Sequence, residues 1–324
     1  MRVWKHRIEG ILLLIIGIAL LIGLVGHRVP DTIQGIGVNL RILDNFRPQL
    51  LVLALIGSAL LGIARVQRLA ALTAVFSVLG GFVIAYDYRT RLPTSLSTEP
   101  TSTIEVLWFN LLKENTITPE RLGEELLNSN ADLIVLAESA PAFAAIPALS
   151  DIYPYRAGCE TLDTCELLIL SRIPLGPISF ENTPFGPQRL ARFHILRTDG
   201  PAVTVVAVHR VKPWYLGLTG TGEEWMNAVL GGRPDRPMIV MGDFNATPWS
   251  RRMSQLAHTH GLHSHVRPIA TWPLQAGKLG LTIDHVLTRG PAQIRTLDTW
   301  GASLGSNHAG LRASVGIWDA KETN

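Results

Sequence analysis

Charge is scarce in this chain. Only 17% of its 324 residues are Asp, Glu, Lys or Arg, against about a quarter in ordinary soluble proteins. Cysteine is nearly absent, with Cys159 and Cys165 alone. No further Cys or His lies near them, so a metal pair is disfavoured. A small disulfide loop and two reduced thiols both remain open. Internal repeats and low-complexity segments are lacking. A basic surface is lacking where a nucleic-acid binder would carry one. Residues 1–102 hold 10 Lys and Arg against 5 Asp and Glu, a net of +5, which leaves −2 for residues 103–324. The overall pI of about 9.0 therefore belongs to the N-terminal third. That weakens a nucleic-acid substrate without excluding one.

What the chain has instead is apolar length near its start. Three runs hold it, at about Ile8–Val25, Leu50–Ile63 and Leu69–Ala85. A spanning helix needs roughly 20 mostly apolar residues. The first and third reach this with their flanks, and the second does so if extended to Pro48–Val66. The first run is long for a cleaved signal peptide and has no small-x-small site after it. A buried hairpin in a soluble domain would not need such charge-free length. The expectation is a three-span membrane region over residues 1–87. None of the spans has an acid or base in its middle, which argues against transport or proton relay. Arg2, Lys5 and Arg7 at the start, with Arg65 and Arg68 between the second and third spans, suggest a cytoplasmic N-terminus. Arg28, Arg41 and Arg47 in the first loop oppose this. On balance the expectation is a multi-pass protein of the inner membrane, with its C-terminal domain outside the cytoplasm.

Residues 88–102 read as a linker, rich in Thr, Ser and Pro. Beyond it, over 103–324, short apolar runs alternate with polar segments. Strands are expected at Ile104–Phe109, Leu133–Ala137, Leu167–Leu170, Arg192–Leu196, Val203–Val208, Met238–Met241, Ile283–Leu287 and Leu311–Ile317. Helices are expected at Pro119–Asn128, Glu223–Leu230 and Arg251–His260. Thr118 suits the N-cap of the first of these helices and Pro119 its first turn. The pattern is that of an α/β layered domain.

Chemistry-bearing residues collect at or just after the ends of these strands: Asn110, Glu138, His209, Asp243 with Asn245, Asp284, and His308 preceded by Asn307. The Asp243/Asn245 spacing, read as strand, points both side chains one way. Strand ends converging on one sheet edge can gather residues far apart in sequence. A hard cation such as Mg²⁺ takes carboxylate and amide oxygens, which Glu138 and Asp243 supply. A histidine beside a buried carboxylate is an oriented acid or base, and His308 with Asp284 fits. His209 and Asn245 can meet phosphate oxygens. Taken singly, each residue has a plainer reading as a turn former, a cap or a solvated surface group. The cluster His258, His260, His263 and His265 straddles a helix end and a loop, and is read as structural. Arg251 and Arg252 are read as a solvated helix face, with contact to substrate phosphate as the alternative.

Seven pieces in order carry a resemblance: Trp108-Phe109-Asn110, Leu136-Ala137-Glu138, Leu170-Ser171-Arg172-Ile173-Pro174, Val208-His209, Gly242-Asp243-Phe244-Asn245, Ile283-Asp284-His285 and Ser306-Asn307-His308. The chain resembles the endonuclease/exonuclease/phosphatase superfamily, the DNase I-like group, over about residues 103–318. The run Asn245-Ala246-Thr247-Pro248-Trp249-Ser250 looks like bacterial members with N-terminal membrane spans. The resemblance implies a four-layered α/β sandwich and hydrolysis of a phosphate ester with Mg²⁺, Mn²⁺ being the alternative ion. It implies that Glu138 ligates the metal with help from Asn110 and Asn307. It implies that Asp243 and Asn245 handle the attacking water, that Asp284 holds His308, and that His209 binds phosphate. Asp243 and His308 both remain candidates for the base. The family usually has Asp where this chain has Asn307, which removes a charge from the site.

The expected function is a membrane-anchored phosphoesterase acting on a phosphodiester, in nucleic acid or a lipid head group. The expected partners are that substrate and the bilayer, with no protein partner called for. The competing reading is a binding or sensor protein that retains the fold without turnover. Substrate choice would sit in loops such as Val211–Thr221, with Trp214 and Tyr215, and Ala270–Leu281, with Trp272.

Overall fold

A computed structural model describes residues 2–30, 33, 36–94, 98–183, 186–198, 200–213, 215, 223–232 and 235–318. The chain forms two compact units. One comprises Met1–Thr90 together with Thr247–Gln255, and the other Arg91–Ala246 and Leu256–Asn324.

The first unit is helical: α1 (Arg2–Val25), α2 (Gly37–Leu43), α3 (Arg47–Ile63) and α4 (Gln67–Arg89). Ile16, Ala19, Ala54 and Leu61 form its small core. Small residues let the helices approach closely. A Cβ on Gly57 would come within 2.5 Å of Ile16. The Ser58 hydroxyl lies 2.6 Å from that of Thr73, joining α3 to α4. The outward faces are apolar, with Leu14 64% and Phe82 72% exposed. Apolar exposure on this scale marks a surface meant for something other than water. Three segments are long and apolar enough to cross a membrane: Glu9–Arg28, Asn39–Ile63 and Gln67–Arg89. The second starts earlier than its apolar run, because α2 and a 3₁₀ turn (Asp44–Phe46) lead directly into α3.

The second unit has eleven strands among its described residues: β1 (Ser102–Asn110), β2 (Leu133–Ala137), β3 (Tyr155–Ala157), β4 (Leu167–Ser171), β5 (Ser179–Thr183), β6 (Gly186–Ile195), β7 (Val203–His209), β8 (Met238–Asp243), β9 (Asp284–Arg289), β10 (Ala292–Trp300) and β11 (Gly310–Ile317). Its helices are α5 (Pro119–Asn128), α6 (Ile146–Leu149) and α7 (Glu223–Leu230), while α8 (Arg251–His260) begins in the first unit. Two mixed sheets result, ordered β10-β11-β1-β2-β4-β3 and β5-β6-β7-β8-β9.

Strand periodicity explains the layering. In β1, Ile104, Val106 and Trp108 face the core shared by the two sheets. Leu107 and Phe109 face the other way, toward Leu122 and Leu126 of α5. β2 and β4 divide their residues in the same manner. Strands β7, β8 and β9 are buried along their whole length, as strands covered on both faces must be. This is the DNase I-like α/β sandwich. The sulfurs of Cys159 and Cys165 are bonded, closing the loop between β3 and β4.

Candidate active site

Register brings the site together. In the second sheet His209, the last residue of β7, pairs with Asp243, the last of β8, and Asp243 pairs in turn with Asp284. Gly242 permits this close approach, since a Cβ there would lie 2.1 Å from the Val208 carbonyl oxygen. In the first sheet Asn110 ends β1 and pairs with Ala137, so Glu138 follows at the same edge. Asp284 opens β9, and His308 precedes β11 by two residues. These two therefore stand at strand beginnings rather than strand ends. Because β9 runs antiparallel to β8, and β11 to β1, their beginnings reach the same edge.

The hydrogen bonds define the chemistry. His308 Nδ1 donates to Asp284 Oδ2 at 2.8 Å, and the indole of Trp108 donates to the other oxygen at 2.8 Å. Both are buried. Burial works to raise the Asp284 carboxyl. The charge of His308 and the bonds from His308, Thr271 and Trp108 outweigh it and hold the group below the usual carboxylate range. Burial likewise works to lower His308. The carboxylates of Asp284, Asp243 and Glu138 prevail, and its pKa rises to about 9. Asp243 moves up, first through burial and then through Asp284, against the pull of His308, His209 and the Asn245 N–H.

Asp243 Oδ2 lies 3.9 Å from the Nε2 of both His209 and His308. Asn110 Nδ2 bridges Asp243, at 3.2 Å, and Glu138, at 3.4 Å. The Leu112 N–H donates to Asn110 Oδ1, which fixes the orientation of the amide. Asn110 therefore presents donors to two carboxylates and spaces them. Glu138 Oε2 accepts from the Lys113 N–H at 2.8 Å, and its side chain stays partly open. Glu138 adopts φ +48° and Asn245 φ +49°. Such left-handed backbone persists where the surroundings enforce it, and it gathers at functional sites.

Two expectations meet the geometry differently. Strand alternation stops at Asp243, so Asn245 does not project beside it. The Asn245 N–H donates to Asp243 Oδ1 at 2.8 Å, and its side-chain amide donates to the Arg210 carbonyl at 2.9 Å. It orients the acid. Arg251 does not stand on a purely solvated face. Its guanidinium donates to the carbonyls of His27 and Arg28 within the first unit. Asn307 makes no hydrogen bond to the other site residues, and its Oδ1 is buried without a partner.

Sequence reasoning overlooked Glu166. This acid, just before β4, bonds to His209 Nδ1 and pairs with Arg189 at 3.1 Å. Burial works to raise it, but the bond and charge of His209, with Arg189 and Lys113, hold it low. Its only signal was an acid directly before an apolar run.

A metal suits this donor set: a partly open Glu138 carboxylate and a buried, unpartnered amide oxygen on Asn307 are hard oxygen donors. The ligand atoms of Asp243, Asp284 and His308 also lie within 4.8 Å of one another. Both oxygens of Asp284 and Nδ1 of His308 are already committed, however, so that trio is better described as a hydrogen-bonded dyad beside an acid. Three of the four clustered histidines turn to different partners. His260 bonds to Asn227, His263 faces the Arg91 carbonyl and His265 the Arg267 carbonyl. A cavity of about 520 Å³ lies at the far end of β9, lined by Leu230, His260, His263 and Arg289 among others. Arg289 there donates to the terminal carbonyls of α7 and α8. Its charge answers two helix C-termini. Of the expected specificity loops, Trp214 and residues 216–221 lie outside the described residues. Trp272 pairs with Leu281 through backbone hydrogen bonds.

The profile of the Endonuclease/Exonuclease/phosphatase family matches residues 107–308. The chain belongs to that family and is, with it, a phosphoric ester hydrolase of the metal-dependent kind. Among solved structures it resembles an endonuclease/exonuclease/phosphatase from Beutenbergia cavernae DSM 12333, with a TM-score of 0.55 and 16% identity over 67% of this chain and 72% of that one. It also resembles D. rerio TDP2 complexed with a single-strand DNA product, with a TM-score of 0.53 and 14% identity over 67% of this chain and 100% of that one. A family protein from Leptotrichia buccalis C-1013-b gives a TM-score of 0.52 and 13% identity over 66% of this chain and 100% of that one. No curated protein matches the sequence.

Proposed function

We propose that this chain is a membrane-anchored hydrolase of phosphodiesters that works with a divalent cation, Mg²⁺ or Mn²⁺. The carrying observation is the edge where Asp243 faces the free nitrogens of both His209 and His308 at 3.9 Å. A phosphate seated there meets one acid and two imidazoles. Asp243, held by the Asn245 N–H and by Asn110, takes the proton of the attacking water. His308 keeps Nδ1 on Asp284, so Nε2 is the nitrogen that donates to a phosphate or leaving oxygen. Charged at neutral pH, His308 is the donor, and the base is Asp243. In its charged form His209, fixed by Glu166, donates to a second phosphate oxygen. Glu138 would hold the cation with Asn307 Oδ1. When bound, the cation neutralises charge on the phosphate oxygens.

The substrate chemistry is a diester of nucleic acid or of a lipid head group. A neighbour of like fold carries a DNA product, while the three apolar helices and the acidic balance of residues 103–324 favour lipid. The flanking Arg and Lys residues and the Cys159–Cys165 bond support an active site outside the cytoplasm.

The test is hydrolysis of bis(p-nitrophenyl) phosphate by the full chain in nanodiscs, with Mg²⁺, Mn²⁺ or EDTA. The full chain is required because Thr247–Gln255 folds with the N-terminal helices. Turnover is expected with metal, to vanish with EDTA, and to fall at least about 10³-fold in Asp243→Ala. Full activity in that variant would sink the assignment. Single-stranded DNA and phospholipid then separate the two substrate classes.

A further inference from the structure

The run Thr247-Pro248-Trp249-Ser250 follows the Asp243–Asn245 loop at once, yet none of it enters the chemistry above. Its hydrogen bonds lead elsewhere. Within the first unit, the Thr247 N–H donates to Asn45 Oδ1 at 2.7 Å, and the Trp249 indole donates to the Asn45 carbonyl at 2.7 Å. Arg47, which also donates to the Gly23 carbonyl, donates to the Trp249 carbonyl at 2.8 Å. Asp44 Oδ2 accepts the Arg251 N–H at 3.1 Å. This places a carboxylate at the N-terminus of α8, where the unpaired amides and the dipole favour it. Asp44 is held by Arg41 at 2.6 Å, and Asn45 Nδ2 donates back to the Arg41 carbonyl at 2.9 Å. Asp44, Asn45, Arg47, Thr247 and Ser250 are all buried. Asp44, Asn45 and Arg47 thus each make polar contact with the same short stretch of chain.

That stretch begins two residues beyond Asn245, whose left-handed backbone places its N–H on Asp243. Upstream, the Phe244 N–H donates to the Ile283 carbonyl, and His285 Nε2 donates to the Ala246 carbonyl. Downstream, Asn45 is the first partner the loop meets. We propose that Asn45, supported by Asp44 and Arg47, is a positioning residue for the catalytic loop. The turn between the first two apolar segments holds Thr247 in place, and through it the conformation of Asn245 that aims Asp243. The apolar helices then serve turnover itself as well as location. This rests on the hydrolase reading above.

The experiment uses the full chain in nanodiscs, comparing Asn45→Ala with Asn45→Asp, which keeps the acceptor for Thr247, and with Trp249→Phe, which keeps the ring and loses one hydrogen bond. Hydrogen exchange is followed at residues 244–251, and steady-state kinetics on bis(p-nitrophenyl) phosphate. Asn45→Ala is expected to speed exchange at Thr247 about tenfold or more. It should lower kcat about tenfold or more with KM within about twofold. Asn45→Asp should recover most of both. Trp249→Phe, the milder change, should move both in the same direction, and it decides the matter if Asn45→Ala does not fold. Unchanged exchange, or faster exchange with wild-type kcat, would overturn the proposal. A wild-type chain that hydrolyses no diester would defeat the hydrolase reading, while exchange would still decide whether Asn45 orders the loop.

Discussion

The site holds two histidine–carboxylate pairs built to different plans. Asp284 is buried against Trp108 and His308, and among the described residues its only charged hydrogen-bond partner is His308. Glu166 divides its charge between His209 and Arg189. A carboxylate whose other partners, Trp108 and Thr271, are neutral gives its charge to the imidazole, and with Asp243 and Glu138 it raises His308 to about 9 against burial. Glu166 lies between His209 and a guanidinium that is always charged, and the bond and charge of His209, with Arg189 and Lys113, hold its carboxyl below the usual range against burial. The comparison teaches that Asp284 is devoted to His308 alone, while Glu166 ties His209 and Arg189 together.

Removing each carboxylate in turn sharpens that difference. Asp284→Asn is expected to lower kcat by about 10² to 10⁴-fold, because His308 loses both its charge partner and its fixed tautomer. Glu166→Gln is expected to cost only about tenfold, as the amide oxygen still holds His209. Equal losses measured side by side would break the distinction. A smaller effect is expected at Asn307, where Asn307→Asp should tighten Mg²⁺ or Mn²⁺ binding about threefold to fivefold by adding charge to an oxygen already buried without a partner. Calorimetric titration checks this, and unchanged affinity would remove Asn307 from the metal site. The smallest effect is on stability. His308 has its pKa raised on folding, from 6.5 to about 9. Its contribution is therefore fully present below pH 6.5 and is lost as pH rises through 9. The Tm of the wild type should fall across that window, and the fall should flatten in Asp284→Asn.

Much of this was legible in the chain. The helices Pro119–Asn128, Glu223–Leu230 and Arg251–His260 appear with the bounds their periodicity gives. The apolar strands β1, β2, β4, β7, β8 and β11 were equally plain, since burial on both faces writes long apolar runs. The strands β3, β5 and β10 were not, because they are largely exposed and polar. Their pairing is decided by neighbours rather than by their own composition. In the site, acids and histidines at apolar run ends were visible. Which partner each would take was not. Glu166 lies in a turn without a motif, and Asn245 leaves the strand through a left-handed residue that alternation cannot foresee. The destination of Thr247 and Arg251 was hidden too, since nothing local joins them to Asp44 and Asn45.

That last contact spans 202 positions of the sequence. During synthesis the turn at Asp44 and Asn45 emerges early, while the N–H groups that satisfy it emerge after most of the catalytic unit has been made. The helical unit cannot complete its hydrogen bonds until Thr247 arrives, and closing so long a loop is slow relative to local pairing. The turn at Asp44 and Asn45 therefore gains its last hydrogen-bond partners only when residues 247–251 have been made.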